Sequence, residues 1–269
     1  MKAGFWVAPE GEDAGVSMMP IGIDETASGF AGRSGLTGAG TISFLATASA
    51  AELIERCPRV AEMLPQLVAA LETQEVDGDS RLFDLSGHGA DDLTLIGQVL
   101  GEGEVSATVA LPEGVIAQVQ ESVMAGLWRV RFTDASGAVV ADYVEVAAIP
   151  AAVERAARMT RVLDDFGLPP EGAMNVLPVL TEIRDRAMAH VKGAPSHTIT
   201  FSLFPMSEAD MGFLQETLGP GPVQILSRGY GTCRIVATGV RNVWSVQFFN
   251  AMDTIVLDTL EIGDVPVTA

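Results

Sequence analysis

The stretch Leu100-Gly-Glu-Gly-Glu-Val105 has a counterpart in Leu218-Gly-Pro-Gly-Pro-Val223, and this match indicates how the chain is organised. The leucine, both glycines and the valine coincide at an offset of 118 residues. Further along, Trp128-Arg-Val-Arg-Phe132 matches Trp244-Ser-Val-Gln-Phe248 at an offset of 116 residues. Matches that keep one order at a nearly constant offset indicate the tandem duplication of a single unit.

Each copy of the unit is predicted to start with a helix and a short strand. The helix runs from Val60 to Leu71 in the first copy and from Met174 to Met188 in the second. A short strand follows around Phe83 in the first copy or Phe201 in the second.

A second helix follows in each copy. Asp91-Asp92 or Ser207 suits its N-cap, and Gly101 or Gly219 suits its end, because glycine readily adopts the left-handed conformation that closes a helix. Three or four strands are expected in the remainder of each copy.

Large apolar side chains alternate with polar ones along these later strands, as at Trp128, Val130 and Phe132. Such alternation is typical of antiparallel strands with one buried and one wet face. The sequence therefore predicts an α+β fold, a tandem duplication of a unit in which helices pack on an antiparallel sheet.

The duplication divides the chain into three parts. Residues 1–50 are rich in small residues and are predicted to be an extended or mobile N-terminal arm. Residues 51–150 form the first α+β repeat, and residues 151–269 form the second, preceded by a linking helix from Ala151 to Phe166.

The charge of the chain argues against nucleic-acid binding. The net charge is -19, and it is uneven, with -12 on residues 51–150 and -4 on residues 151–269. A nucleic-acid surface needs clustered Lys and Arg, which the sequence lacks. No apolar run is long enough for a membrane span, no secretory signal is visible, and two cysteines are too few for a disulfide scaffold. We therefore expect a cytoplasmic protein with no membrane span.

Residues able to carry catalysis or bind a metal are sparse. Gly101-Glu-Gly103 lacks the third glycine of a dinucleotide loop and is interpreted as a turn. Asp142 and Glu145 are three apart on a strand, so they face opposite sides and are interpreted as solvated carboxylates. The three histidines show no zinc spacing, and two cysteines cannot hold an iron–sulfur cluster alone. The sequence thus predicts no catalytic residue, no metal site and no cofactor, and hence a protein that is not an enzyme.

The most distinctive stretch is Ser227-Arg-Gly-Tyr-Gly-Thr-Cys-Arg-Ile235. Two interpretations of Cys233 are open. It is a reactive thiol beside Arg234, or, as we prefer, a small buried residue on a strand, where unpaired cysteines are common. Trp128 and Trp244 are interpreted as core residues.

Several of these phrases resemble the HupH/HyaF family of hydrogenase expression/formation proteins, which includes proteins named HoxQ. In the first copy the resemblance lies in Leu100–Ser106 and Gln120–Val130; in the second it lies in Gly221-Pro-Val223, Gly229-Tyr-Gly-x-Cys-Arg234 and Leu257–Glu261. It runs from about residue 60 to the C-terminus.

The resemblance implies a cytoplasmic accessory protein in the maturation of uptake nickel–iron hydrogenases. Its client would be the precursor of the iron–sulfur small subunit, and a thioredoxin-like accessory protein would work beside it. No catalytic residue comes with the family. The alternatives are an iron–sulfur transfer protein or a thiol-dependent enzyme using Cys233, and a plain structural partner in a larger assembly.

Six residues are predicted to contact the partner. They are Glu102, Glu104, Glu113, Tyr230, Cys233 and Arg234. The glutamates belong to the more acidic first copy, and the implied client carries a basic twin-arginine signal, so opposite charge would speed association.

Overall fold

A computed structural model describes residues 54–76, 78–201, 205–229 and 231–266. The predicted arm of residues 1–50 therefore lies outside the described residues, as does Tyr230.

The described strands form one ten-stranded sheet in which every neighbouring pair is antiparallel. The strand order is β1-β5-β4-β3-β2-β7-β8-β9-β10-β6. The strands are β1 (Arg81–Asp84), β2 (Val105–Ala110), β3 (Ile116–Glu121), β4 (Leu127–Thr133), β5 (Val139–Val146), β6 (His197–Thr200), β7 (Pro220–Ser227), β8 (Thr232–Thr238), β9 (Val243–Phe249) and β10 (Ile255–Ile262).

Helices precede, join and follow these strands. They are α1 (Pro58–Glu72), α2 (Ala90–Leu100), α3 (Ala151–Arg158), α4 (Val176–Ala189) and α5 (Glu208–Leu218), with a 3₁₀ turn at Pro112–Gly114.

The strand order is symmetric about the centre of the sheet. Counted inward from its edge, the first copy gives β1-β5-β4-β3-β2, and the second gives the equivalent strands β6-β10-β9-β8-β7. Each copy contributes five strands, and the two sets join where β2 pairs with β7, from Val105 opposite Ser227 to Val109 opposite Val223. The α+β class and the tandem duplication are confirmed. The joining of the copies into one continuous sheet was not predicted.

The turn before β4 and the turn before β9 show the duplication at atomic detail. Gly126 and Asn242 occupy equivalent positions, and both have positive φ, 79° and 61°. The Gly126 carbonyl accepts a hydrogen bond from the Ala147 amide (3.0 Å), and the Asn242 carbonyl accepts one from the Gly263 amide (2.8 Å). Asn tolerates this conformation better than most residues that carry a Cβ.

Helices cover the two faces of the sheet unequally. Helices α1 and α2 pack with Val144 and Val146 of β5, and α4 and α5 pack with Leu260 and Ile262 of β10. Because cross-strand partners point to the same side, the register places all four helices on one face.

On the other face α3 is the only helix among the described residues, and it packs over β2 and β7. Its Val153 and Ala156 share a core with Trp128, Trp244 and the strands of both copies. The described residues thus form three cores, one at each end of the sheet and one shared beneath α3.

Two predicted helix boundaries are wrong. The linking helix ends at Arg158 rather than Phe166, because Arg161 instead forms a parallel bridge with Val240 of the second copy. Helix α2 has Gly89 as its N-cap rather than Asp91-Asp92. The other boundaries are close to prediction: Ser207 caps α5, and Gly101 and Gly219 close α2 and α5 with φ of 60° and 64°.

The prediction of a wet face along β4 is also wrong in part. Arg129, on the face opposite Trp128, is only 8% exposed because α2 lies over it, with Gly97 beside its Nη1 atom. The cost of burying this guanidinium is offset by its ion pair with Asp142 on the neighbouring strand β5.

Candidate functional site

The three glutamates predicted to bind a partner are all exposed, but the structure does not bring them together. Glu102 and Glu104 precede the start of β2, whereas Glu113 lies in the 3₁₀ turn after its end and has φ of 64°. A strand of this length separates its ends by about 20 Å. Glu113 is therefore not part of a site that contains Glu102 and Glu104.

Glu104 instead meets the distinctive stretch of the second copy. The Arg228 amide donates to the Glu104 carbonyl (3.0 Å), which extends the pairing of β2 with β7. A Cβ on Gly229 would collide with Oε2 of Glu104, so only glycine fits there while the carboxylate keeps this place. We call this surface the junction end and define it by Glu102, Glu104, Arg228 and Gly229.

A third carboxylate, Glu121 at the end of β3, adds negative charge to the junction end. Burial raises the pKa of the Glu121 carboxyl, hydrogen bonds from the Val105 and Glu104 amides lower it, and the charge of Glu104 raises it. The net direction is upward. A cation that reached this surface would find two carboxylates at close range, Glu104 and Glu121.

Cys233 and Arg234 follow on β8 and face opposite sides of the sheet. Cys233 is 6% exposed and belongs to the core under α3, whereas Arg234 is half-buried on the face that carries the four other helices. A buried thiol in apolar surroundings is a poor nucleophile. This burial favours the structural interpretation of Cys233.

If the chain acts in hydrogenase maturation, as its resemblance to the HupH/HyaF family implies, Cys233→Ala should leave that maturation nearly intact. The substitution removes one small buried side chain, which costs stability on the order of 1 kcal/mol and no chemistry. Hydrogenase activity in cells that carry only the variant is the measurement. Lost activity with unchanged folding and expression would contradict this prediction and favour the thiol-dependent alternative.

The interpretation of Asp142 and Glu145 as solvated carboxylates is wrong. Asp142 is 8% exposed and accepts bonds from Arg129 (Nη2, 2.9 Å) and Arg131 (Nη2, 3.2 Å) on β4. Glu145 is fully buried on the opposite face. Their opposite orientations were predicted and are confirmed by the register, in which Asp142 faces Arg131 and Glu145 faces Trp128.

Glu145 fixes the start of the linking helix. Its Oε1 accepts a hydrogen bond from the Ala151 amide (2.9 Å), the first residue of α3, and Oε2 has no hydrogen-bond partner of ordinary geometry among the described residues. Burial raises the pKa of Glu145, and the Ala151 amide, the nearby Ser80 hydroxyl and the Arg155 charge only partly counteract it.

The raised pKa of Glu145 predicts a specific pH dependence of stability. A carboxyl that binds its proton more tightly when folded stabilises the fold at low pH, and this contribution is lost as pH rises through the folded pKa. Glu145→Gln should therefore be as stable as the parent or more stable at pH 7. Its advantage should shrink as pH falls toward 4.5, the ordinary value.

Urea unfolding of both proteins at pH 7 and pH 5 measures this difference. Other titrating groups contribute equally to both proteins and cancel in the comparison. A variant less stable than the parent by more than about 1 kcal/mol at pH 7 would show that the ionised form is favourably paired.

A cleft of about 440 Å³ lies beside α3, where the two copies meet. Its walls include Ser80 and Ala151 from the first copy and linker, and Lys192, Trp244 and Asp264 from the second. Charges of both signs line it: Glu154 binds Arg158 (2.7 Å) and Lys192 (3.6 Å), and Asp264 binds His190 (3.1 Å). These internal pairs leave the cleft without a clear charge preference.

Within the described residues, no three His, Cys, Asp or Glu side chains are grouped so as to hold a metal ion. No helix in this part of the chain is long and apolar enough to cross a bilayer. Where the strands of the two copies join, the structure brings Glu104 of the first copy together with Arg228 and Gly229 of the second.

Comparison with known proteins shows related sequences along the whole chain. The family model for the C-terminal conserved region of HupH hydrogenase expression proteins matches twice, at residues 59–160 and 173–269. The chain is 57% identical over 269 residues to the hydrogenase expression/formation protein HupH of Rhizobium leguminosarum bv. viciae, covering 100% of this chain and 92% of the relative.

More distant relatives show the same pattern. The chain is 40% identical to the hydrogenase expression/formation protein HoxQ of Azotobacter vinelandii, over 79% of this chain and 75% of HoxQ. It is 36% identical to the hydrogenase-1 operon protein HyaF of Escherichia coli K12, over 79% and 76%. A solved structure of the HupH hydrogenase expression protein of Thiobacillus denitrificans aligns with a TM-score of 0.32 at 27% identity, covering 35% of this chain and 77% of that one.

Proposed function

Because the chain belongs to the family of HupH hydrogenase expression proteins, we propose that it is an accessory protein that binds the iron–sulfur small-subunit precursor during maturation of a nickel–iron hydrogenase. A role in hydrogenase maturation follows from the relatives, which are named hydrogenase expression/formation proteins. Binding of the small-subunit precursor, in the cytoplasm and beside a thioredoxin-like accessory protein, is our proposal.

The meeting of Glu104 with Arg228 and Gly229 is the observation that supports a binding role. Two stretches that sequence reasoning selected separately, one in each copy, lie side by side at the junction end. Exposed carboxylates at Glu102 and Glu104 there suit a basic segment, such as the start of a twin-arginine signal. Steering of this kind acts mainly on the association rate and weakens as salt screens it beyond about 8 Å.

Charge reversal at the junction end should slow association with the precursor. We expect Glu102→Lys with Glu104→Lys to lower the association rate about tenfold at low salt, and the difference to shrink as salt rises. Stopped-flow or surface-binding kinetics with purified precursor measures both effects.

Two controls sharpen this test. Glu113→Lys reverses one charge at the far end of β2 and should slow association much less than Glu104→Lys alone, which makes the same change in charge. A precursor that lacks its signal peptide should lose the salt dependence. Equal salt dependence with and without the signal peptide would show that the junction end does not recognise the signal.

The alternative of iron–sulfur transfer or thiol chemistry finds less support. It requires Cys233 to be reachable, and this residue lies in the core beneath α3. Visible absorption of the freshly purified protein separates the two functions, because a bound cluster is coloured and an accessory binding protein is not.

A further inference from the structure

We propose that the sheet face between the two helix pairs binds an extended acidic segment of a partner polypeptide. We call this surface the central groove; its floor residues are Ser106, Thr108, Gln118, Arg131, Gln224, Leu226 and Arg234. Cross-strand register places them on one side, the side of α1, α2, α4 and α5. The proposal goes beyond the binding of a basic segment at the junction end and does not depend on which hydrogenase subunit is the client.

The central strands are closed on one face and open on the other. Under α3, Ala107 and Val223 are 6% and 0% exposed. On the groove side, the neighbouring Thr108 and Gln118 are half-buried and Gln224 is exposed. Helices α2 and α5 each lead into one of the central strands and pack on this same side, over the outer parts of the sheet.

The two copies place the same three residue types on this face. In the first copy Asp142, Arg131 and Gln118 are successive cross-strand partners on β5, β4 and β3. In the second copy Asp258, Gln247 and Arg234 are successive partners on β10, β9 and β8. Each copy thus presents one arginine to the groove beside a carboxylate and an amide. Cross-strand rows of polar side chains add less to the stability of the fold than rows of apolar side chains would, and this favours a binding role for them.

Around Asp142 the charge of the groove is opposite to that of residues 51–150 as a whole, whereas Glu104 adds a negative charge at the end of the groove beside Ser106. Asp142 alone faces two guanidiniums, those of Arg129 and Arg131, so this cluster carries an excess positive charge. The Nε and Nη2 atoms of Arg131 donate to Asp142, so the Nη1 group of Arg131 can donate to another acceptor. Two of the five basic residues in residues 51–150 lie here, within a stretch of net charge -12.

Apart from Leu226, the floor residues carry hydrogen-bond donors, and because the two arginines can only donate, their ligand supplies acceptors. Arginine pairs best with carboxylates, and the amides and hydroxyls between the two arginines suit the carbonyls of an extended backbone. Arg131 on β4 and Arg234 on β8 are four strand spacings apart, about 19 Å. An extended chain covers this distance in about six residues. The ligand is therefore a segment with two acidic side chains about six residues apart.

Binding of synthetic peptides to the full-length protein tests this assignment. The probe is a labelled Gly/Ser peptide with two glutamates six residues apart, and its comparison peptide has the same composition with the glutamates adjacent. Fluorescence anisotropy at 0.15 M salt limits repulsion by the net charge of -19. We expect the spaced peptide to bind at least about fivefold more tightly than the comparison peptide.

Variants locate the binding. Arg234→Gln and Arg131→Gln should each weaken the spaced peptide about tenfold, whereas Arg81→Gln on the edge strand β1, with the same charge change, should leave it unchanged. Arg234→Gln carries the test if Arg131→Gln fails to fold. The proposal would be overturned if the two peptides bound with the same affinity, or if Arg81→Gln weakened the spaced peptide as much as Arg234→Gln does. It would also be overturned if a single-stranded oligonucleotide bound as tightly as the spaced peptide.

Discussion

Asp210→Ala should destabilise the protein by about 3–5 kcal/mol, because this fully buried carboxylate holds the N-termini of two helices. Its Oδ1 accepts from the amides of Asn175 (2.8 Å) and Val176 (3.0 Å) at the start of α4. Its Oδ2 accepts from the amide (2.9 Å) and hydroxyl (2.8 Å) of Ser207, the N-cap of α5. Removing the carboxylate leaves buried amides without acceptors.

Asp210 should also contribute to acid unfolding. Burial alone would raise the pKa of Asp210, but the hydrogen bonds from Ser207, Asn175 and Val176 outweigh it and hold the pKa below 3.8. A carboxyl whose pKa is lowered on folding adds stability above its unfolded pKa, and this stability is lost as pH falls through the folded value. The variant should therefore show a smaller loss of stability between pH 5 and pH 3 than the parent.

The first copy provides a matched control for Asp210. Asp92 is the equivalent residue at an offset of 118, but it is only half-buried and accepts one backbone bond, from Gly89 (3.1 Å). Asp92→Ala should cost about 1 kcal/mol, as for an ordinary capping residue. Urea unfolding of the two variants measures both values; similar costs would mean that Asp210 does not join α4 to α5.

Local patterns in the sequence predict the units of this fold well and their assembly poorly. The duplication, the helix ends at Gly101 and Gly219 and the burial of Trp128 and Trp244 all depend on short stretches, and the structure confirms them. The pairing of β2 with β7 joins residues more than a hundred positions apart. Neither periodicity nor turn chemistry specifies which edge strands meet.

The burial of the Asp142 and Glu145 carboxylates is not predicted either, because it too depends on contacts between residues far apart in sequence. Asp142 and Glu145 are typical of a wet strand when only their neighbours in sequence are considered. Their burial depends on α2 and α3, and the compensating groups, Arg129 and the Ala151 amide, come from other elements. One difference between the two copies could have indicated this burial. The first copy has arginine at positions 129 and 131, where the second copy has Ser245 and Gln247 at the equivalent positions.

The five predicted binding residues that the structure describes lie in three places. Glu104, with Glu102 near it in sequence, contacts the stretch from Ser227. Glu113 lies at the other end of β2, and Cys233 and Arg234 face opposite sides of the sheet. Alternation along β8 alone predicts this last separation. The approach of Glu104 to Gly229 required the register of β2 with β7.

Trp244→Ala should cost about 3–5 kcal/mol, and Trp128→Ala a similar amount, because both rings lie in the core shared by the two copies. Trp244 is 2% exposed, and the Trp128 Nε1 atom donates to the Ala147 carbonyl (2.9 Å). Since Val153 and Ala156 of α3 pack in the same core, losing either ring loosens the linking helix and the contact between copies.

The shared core also predicts how these variants unfold. Urea unfolding of the parent should show one transition, because β2, β7 and α3 connect the two copies. Trp244→Ala should shift the whole transition to lower urea, whereas Leu168→Ala, at a residue 92% exposed, should change stability by less than about 0.5 kcal/mol. A cost below about 1 kcal/mol for Trp244→Ala would mean that its ring is accessible and available for binding. Two separate transitions, only one of them shifted, would instead mean that each copy folds on its own core and that α3 adds little to their union.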